Sequence, residues 1–161
     1  MKQTINAQIT LLSPTDKTVV PIQITYDDDE DTANLISEIS LVYNNIEYCG
    51  KGTDYLWVDT FVDLQNKLPI DIKLACCMTC RHGSMCPYGN RENLLFCTKD
   101  VIINNKENIR SQFDDLCNLF DKGILHSEQE VFSYNYCDNF VYQSDDYFTY
   151  NDYGLYLKEK K

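Results

Sequence analysis

The chain has 161 residues, 43% of them hydrophobic, with 12 tyrosines, 7 phenylalanines, 8 cysteines and a formal net charge of −11. That length predicts a single domain, residues 1–161, burying about two thirds of its unfolded surface without disulfide staples. No apolar run approaches the roughly 18 residues of a membrane span, and the acidic balance repels phosphate backbones, so neither a membrane nor nucleic acid is an expected partner.

The first eight residues alternate polar and apolar and lack the continuous apolar block of a secretory signal, so a cytoplasmic protein with reduced thiols is expected. Ile5, Ala7, Ile9 and Leu11 alternate with Thr4, Asn6, Gln8 and Thr10, and after the turn residues Ser13-Pro14-Thr15-Asp16 the period returns in Val20, Ile22, Ile24 and Tyr26. This predicts a β-hairpin. Pro21 lacks a backbone donor, which predicts an edge strand or a bulge. The acidic run from Asp27 to Asp31 puts Asp27, Asp29, Asp31 and Glu38 in the spacing of a calcium loop, but Thr32 stands where that loop needs glycine and a strand precedes it. A solvated acidic loop is expected instead. Ile39, Leu41 and Tyr43 lead to Asn44-Asn45, which can supply the positive φ angles of a tight turn before Ile46 and Tyr48.

The period then changes. Trp57, Phe61, Leu64 and Leu68 recur at helical spacing, with Thr53 or Asp54 to cap and Pro69 to stop, predicting a helix over 54–68. Ile70, Ile72 and Leu74 resume alternation in a strand that runs into the cysteines, and the Gly and Pro content of 83–89 predicts a loop. A second helix carries Ile109, Phe113, Leu116, Cys117 and Phe120 on one face, with Asn105 near its start and Gly123 past its end, so Cys117 is expected in the core. Val131 to Tyr142 reads as an aromatic strand, while Asp145 to Tyr156 has no clear period. The expected fold class is α+β: an N-terminal antiparallel sheet, two helices, and a metal-binding cysteine loop next to a late strand.

Five cysteines fall between Cys76 and Cys97, and thiolates at CxxC spacing can close on one tetrahedral ion. Extending the alternation of Ile70, Ile72 and Leu74 puts Cys76 on the core face and Cys77 on the other, where it pairs with Cys80. The remaining ligands are either Cys86 and Cys97 or Cys97 and Cys137. Phase favours Cys137, which falls on the face opposite Phe132, Tyr134 and Tyr136. Local closure by Cys86 is entropically easier, an advantage that grows only slowly with loop length. Zinc is the expected cofactor, and Arg81, Arg91 and Lys99 can offset the charge of four thiolates.

Enzymatic signals are weaker. A thioredoxin-like Cys77-Met78-Thr79-Cys80 needs its first thiol at a helix N-terminus, and Gly83 and Pro87 argue against a helix there. The Cys-x2-Cys-x5-Cys spacing matches neither compact ferredoxin pattern. His82 and His126 are the two histidines, with His82 expected exposed in the loop, and there is no Gly-rich phosphate loop or nucleophile elbow. No catalytic residue is nominated.

The stretch from Asp54 to Cys97, with Cys137-Asp138-Asn139-Phe140, resembles an uncharacterised family of acidic bacterial proteins. Its pattern is a helix ending in Leu-Pro, a strand into Cys-Cys-x-x-Cys-Arg, then Pro-Tyr-Gly, a Cys, and a late Cys-x-x-Phe. The matching positions are Leu68-Pro69, Cys76, Cys77, Cys80, Arg81, Pro87-Tyr88-Gly89, Cys97, and Cys137 with Phe140. The resemblance implies the ligand set Cys77, Cys80, Cys97 and Cys137, and Cys86 departs from the family pattern. It implies no activity. The expected function is a non-enzymatic interaction or regulatory protein with structural zinc, whose partner is a basic or neutral protein, by analogy with acidic immunity proteins and inhibitors. The competing expectation is a thiol or iron–sulfur redox protein using the same cysteines.

Overall fold

A computed structural model of the chain describes residues 2–27, 35–52, 58–88, 94–101, 109–143 and 149–151, together with 153, 154 and 157. The fold is α+β. The chain divides into two compact units, Met1–Ala75 with Leu155–Lys161, and Cys76–Gly154.

The first unit is a five-stranded antiparallel sheet, ordered β4-β3-β2-β1-β5, from β1 (Lys2–Leu12), β2 (Lys17–Asp27), β3 (Leu35–Tyr43), β4 (Ile46–Lys51) and β5 (Lys73–Ala75). The period-2 pattern sets its register: Ile5 faces Ile24, Ala7 faces Ile22 and Ile9 faces Val20 across β1 and β2, so one face of the pleat is aliphatic. Asn44 and Asn45 take φ of 51° and 63°, the left-handed pair that a two-residue hairpin turn requires. Helix α1 (Val58–Lys67) buries Val58, Phe61, Val62 and Leu64 and packs on β3 and β4. Gly50 permits this approach, because a Cβ there would meet the Thr60 carbonyl and the Leu64 side chain. Gln65 ties α1 to the last strand: its amide donates to the Ile72 carbonyl at 2.8 Å, and its oxygen accepts the Leu74 N–H at 2.8 Å.

Two expectations are corrected in this unit. β2 is an interior strand, not an edge; the other expected feature, a bulge, is present as a register shift against β3, but at Thr25/Tyr26 rather than at Pro21. Pro21 is tolerated because β3 begins pairing only at Ile22, leaving the proline opposite Gln8 of β1 alone. Ile70 is fully exposed in a turn, so the strand begins at Lys73, although Ile72 and Leu74 are buried as the alternation predicts. The proposed caps Thr53 and Asp54, Trp57, and the acidic run beyond Asp27 lie outside the described residues.

The second unit is a three-stranded antiparallel sheet, β6 (Gly83–Ser84), β7 (Leu94–Cys97) and β8 (Glu130–Phe132), with helix α2 (Ile109–Asp121). Phe96, Leu116, Leu125 and Cys86 form its buried apolar cluster, with Val101, Leu119, Phe120 and Tyr150 packed against it. Gly123, at φ +67°, ends α2, its N–H bonded to the Phe120 carbonyl. Cys117 is only half-buried, a correction to its expected core position. The late strand is also shorter than expected: it stops at Phe132, where the Asn135 N–H bonds back to the Phe132 carbonyl, and Tyr142 rejoins the unit by a single bridge to Cys80. Among the described residues no helix is long and apolar enough to cross a membrane.

Candidate metal centre

Residues 77–79 form one turn of 3-10 helix, where the alternation of the preceding strand was expected to run on, and this turn begins the CxxC pair; within the stretch 83–89 expected as a loop, Gly83–Ser84 is a short strand. The 3-10 turn is held from outside by backbone bonds: the Cys77 N–H donates to the Asn135 carbonyl at 2.7 Å and the Met78 N–H to the Ser133 carbonyl at 2.8 Å. The Arg81 N–H donates to the Val141 carbonyl at 2.8 Å, so the segment carrying Cys137 is tied on both sides of its turn to the segment carrying Cys77 and Cys80. That turn closes with the Phe140 N–H on the Cys137 carbonyl at 3.0 Å.

Gly83 joins the third cysteine to the group. It pairs directly with Cys97 across β6 and β7, and a Cβ on it would land on the Cys77 carbonyl. The backbones bearing Cys77 and Cys97 therefore approach each other across a residue that must lack a side chain. Two sulfurs receive backbone donors in the same way, each from the residue two positions on. His82 N–H lies 3.5 Å from the Cys80 sulfur, and the Lys99 N–H bonds to the Cys97 sulfur. A donor aimed at sulfur favours the thiolate over the thiol.

Burial is the main cause that pushes the Cys77 thiol up, and electrostatically Cys77 is influenced by Cys76 as well as by Cys80, Cys97 and Cys137. Cys97 is raised mainly by burial, with Cys137 and Cys80 adding to it while the Lys99 N–H and the Lys99 charge oppose it. Of these thiols Cys80 is buried, Cys77 and Cys97 are half-buried and Cys137 is exposed. Among the described residues no group of three or more His, Cys, Asp or Glu is arranged tightly enough to hold a metal ion. In donor type and number, four thiols suit a soft divalent ion.

The other cysteines lie elsewhere. Cys76 is fully buried, with its sulfur 4.0 Å from the Thr79 hydroxyl, and burial pushes its thiol up to about 12. Cys86 sits with Phe96 in the apolar cluster, and alternation along β7 turns Phe96 away from the face of Cys97. His82 is half-buried rather than exposed, and its carbonyl accepts both the N–H and the hydroxyl of Thr98, at 2.8 and 3.2 Å.

Several residues that position the centre carried no sequence signal. The Asn151 amide donates to the Met78 carbonyl at 2.8 Å and the Gly83 carbonyl at 3.0 Å, and its oxygen accepts the Tyr153 N–H. Gln143 donates its amide to Met78 at 3.0 Å and its N–H to the Thr79 carbonyl at 3.1 Å. Ser133, whose carbonyl takes the Met78 N–H, keeps a buried hydroxyl with no partner among the described residues. No protein-family model matches the chain, and no curated protein is significantly similar to it in sequence.

Proposed function

We propose that Cys77, Cys80, Cys97 and Cys137 hold one structural zinc ion and that the protein works by binding another protein rather than by catalysis. The observation that carries this reading is the approach of two cysteine-bearing backbones across Gly83, with backbone donors aimed at the Cys80 and Cys97 sulfurs. The resemblance to the acidic bacterial family supports the same four ligands. Four thiolates fill a tetrahedral sphere and leave no open position for a substrate. The zinc, when bound, would contribute folding free energy on the order of 10 kcal/mol in apparent terms. Cys86 is an unfavourable substitute for Cys137, since it would have to leave an apolar cluster.

A chain of net charge −11 best suits a basic or neutral protein partner, met in the cytoplasm. The thiol-redox alternative is disfavoured because Cys77 opens a 3-10 helix of only three residues, too short to give a helix N-terminus that stabilises a thiolate. Metal analysis of reduced protein purified without added metal tests the reading. About one zinc per chain and a colourless solution are expected; a brown, iron-containing protein, or well-folded protein with metal near zero, contradicts it.

A further inference from the structure

The two edges of the five-stranded sheet differ. The β4 edge is closed by α1: the Asp63 carboxylate accepts the Lys51 N–H at 2.9 Å, and the Lys67 ammonium donates to the Cys49 carbonyl at 2.8 Å. At the other edge β5 covers only Thr10, Leu11 and Leu12. From Lys2 to Ile9, β1 pairs with β2 on one side and, among the described residues, with no strand on the other. Residues 2–6 and Gln8 are exposed. An open edge is normally blunted by proline, a bulge or charges. This one has no proline, an unbroken register against β2, and a lone charge at its end, Lys2. Although the chain is strongly acidic, it has no Asp or Glu from Met1 to Thr15, so two copies can meet here without bringing carboxylates together.

We propose that this edge is a homodimer contact, in which β1 of two copies pairs antiparallel about a two-fold axis and joins their sheets into one. Centred on Ile5, the self-pairing sets Ile5 against Ile5, Thr4 against Asn6, Gln3 against Ala7 and Lys2 against Gln8. No like charges oppose each other, Thr4 and Asn6 can hydrogen-bond, and Ile5, 36% exposed in the single chain, is covered by its own copy. The contact lies within the first unit and does not depend on the zinc reading.

Sedimentation equilibrium of the full chain under reducing conditions tests the proposal. A species of twice the 18.8 kDa chain mass is expected, and its population should rise with salt as the −11 charges are screened. Ile5→Lys should weaken the dimer by about tenfold or more, whereas Val19→Lys, an exposed position on the opposite face of β2, should leave it unchanged. Amide exchange in the unmodified chain gives a check independent of any variant: protection of residues 2–8 should increase with protein concentration. A single-chain mass at every concentration, equal effects of the two substitutions, or concentration-independent protection would overturn the proposal. The first of these is also what an edge reserved for a foreign strand would give.

Discussion

At the scale of single residues, the centre turns on which face a side chain occupies. Cys76 and Cys77 are adjacent, yet one is fully buried beside Thr79 and the other is half-buried, its N–H bonded to the Asn135 carbonyl. The buried position of Cys76 was legible because Ile72 and Leu74 carry a strict period of two up to it. The position of Cys137 was not legible in that way: the strand on which its phase was counted ends at Phe132, and a turn delivers the residue instead. Cys137→Ser should therefore abolish stoichiometric zinc binding under a mild chelator. Cys86→Ser should keep its zinc and lose about 1–2 kcal/mol of stability, from a hydroxyl placed among Phe96, Leu116 and Leu125. Zinc per chain and denaturant midpoints measured on both variants check this; metal loss in the Cys86 variant alone would reverse the assignment.

At the scale of elements, hairpins and helices were readable where turn chemistry and periodicity agree. Asn44-Asn45 and Gly123 mark their turns by the left-handed backbone they adopt. The segment after Tyr142 was unreadable because it holds the centre through side-chain amides bonded to carbonyls, a pattern with no period. Asn151 is its clearest member: buried, and spending both donors on the Met78 and Gly83 carbonyls. Asn151→Ala would leave the Gly83 carbonyl without that donor and Met78 with the Gln143 amide alone. A loss of about 2 kcal/mol and faster zinc transfer to a competing chelator are expected, read from chemical denaturation and from release kinetics. Unchanged release would reduce Asn151 to ordinary packing.

At the scale of the whole molecule, a buried and a half-buried phenol set an alkaline limit. Burial raises Tyr153 well above its ordinary 10.0 and raises Tyr142 as well, and their hydroxyls lie 3.3 Å apart. The fold thus favours the protonated phenols. Their contribution is complete below pH 10.0 and is lost as the pH rises through the raised values, so unfolding and phenolate absorbance should develop together in an alkaline titration. Phenolate appearing well before any loss of structure would contradict this. The bonds of Asn151 also have a temporal consequence, for they span 73 and 68 residues of chain, whereas β1 and β2 meet across the short turn of Ser13 to Asp16. Closing long loops precedes any reward from the contacts they bring, so the first sheet should assemble early and the cysteine centre late. Stopped-flow refolding with separate probes of sheet amides and of zinc capture should then show metal uptake lagging behind sheet formation. The nascent centre would spend that interval as open thiols, the period in which a cell's oxidants have their best access to it.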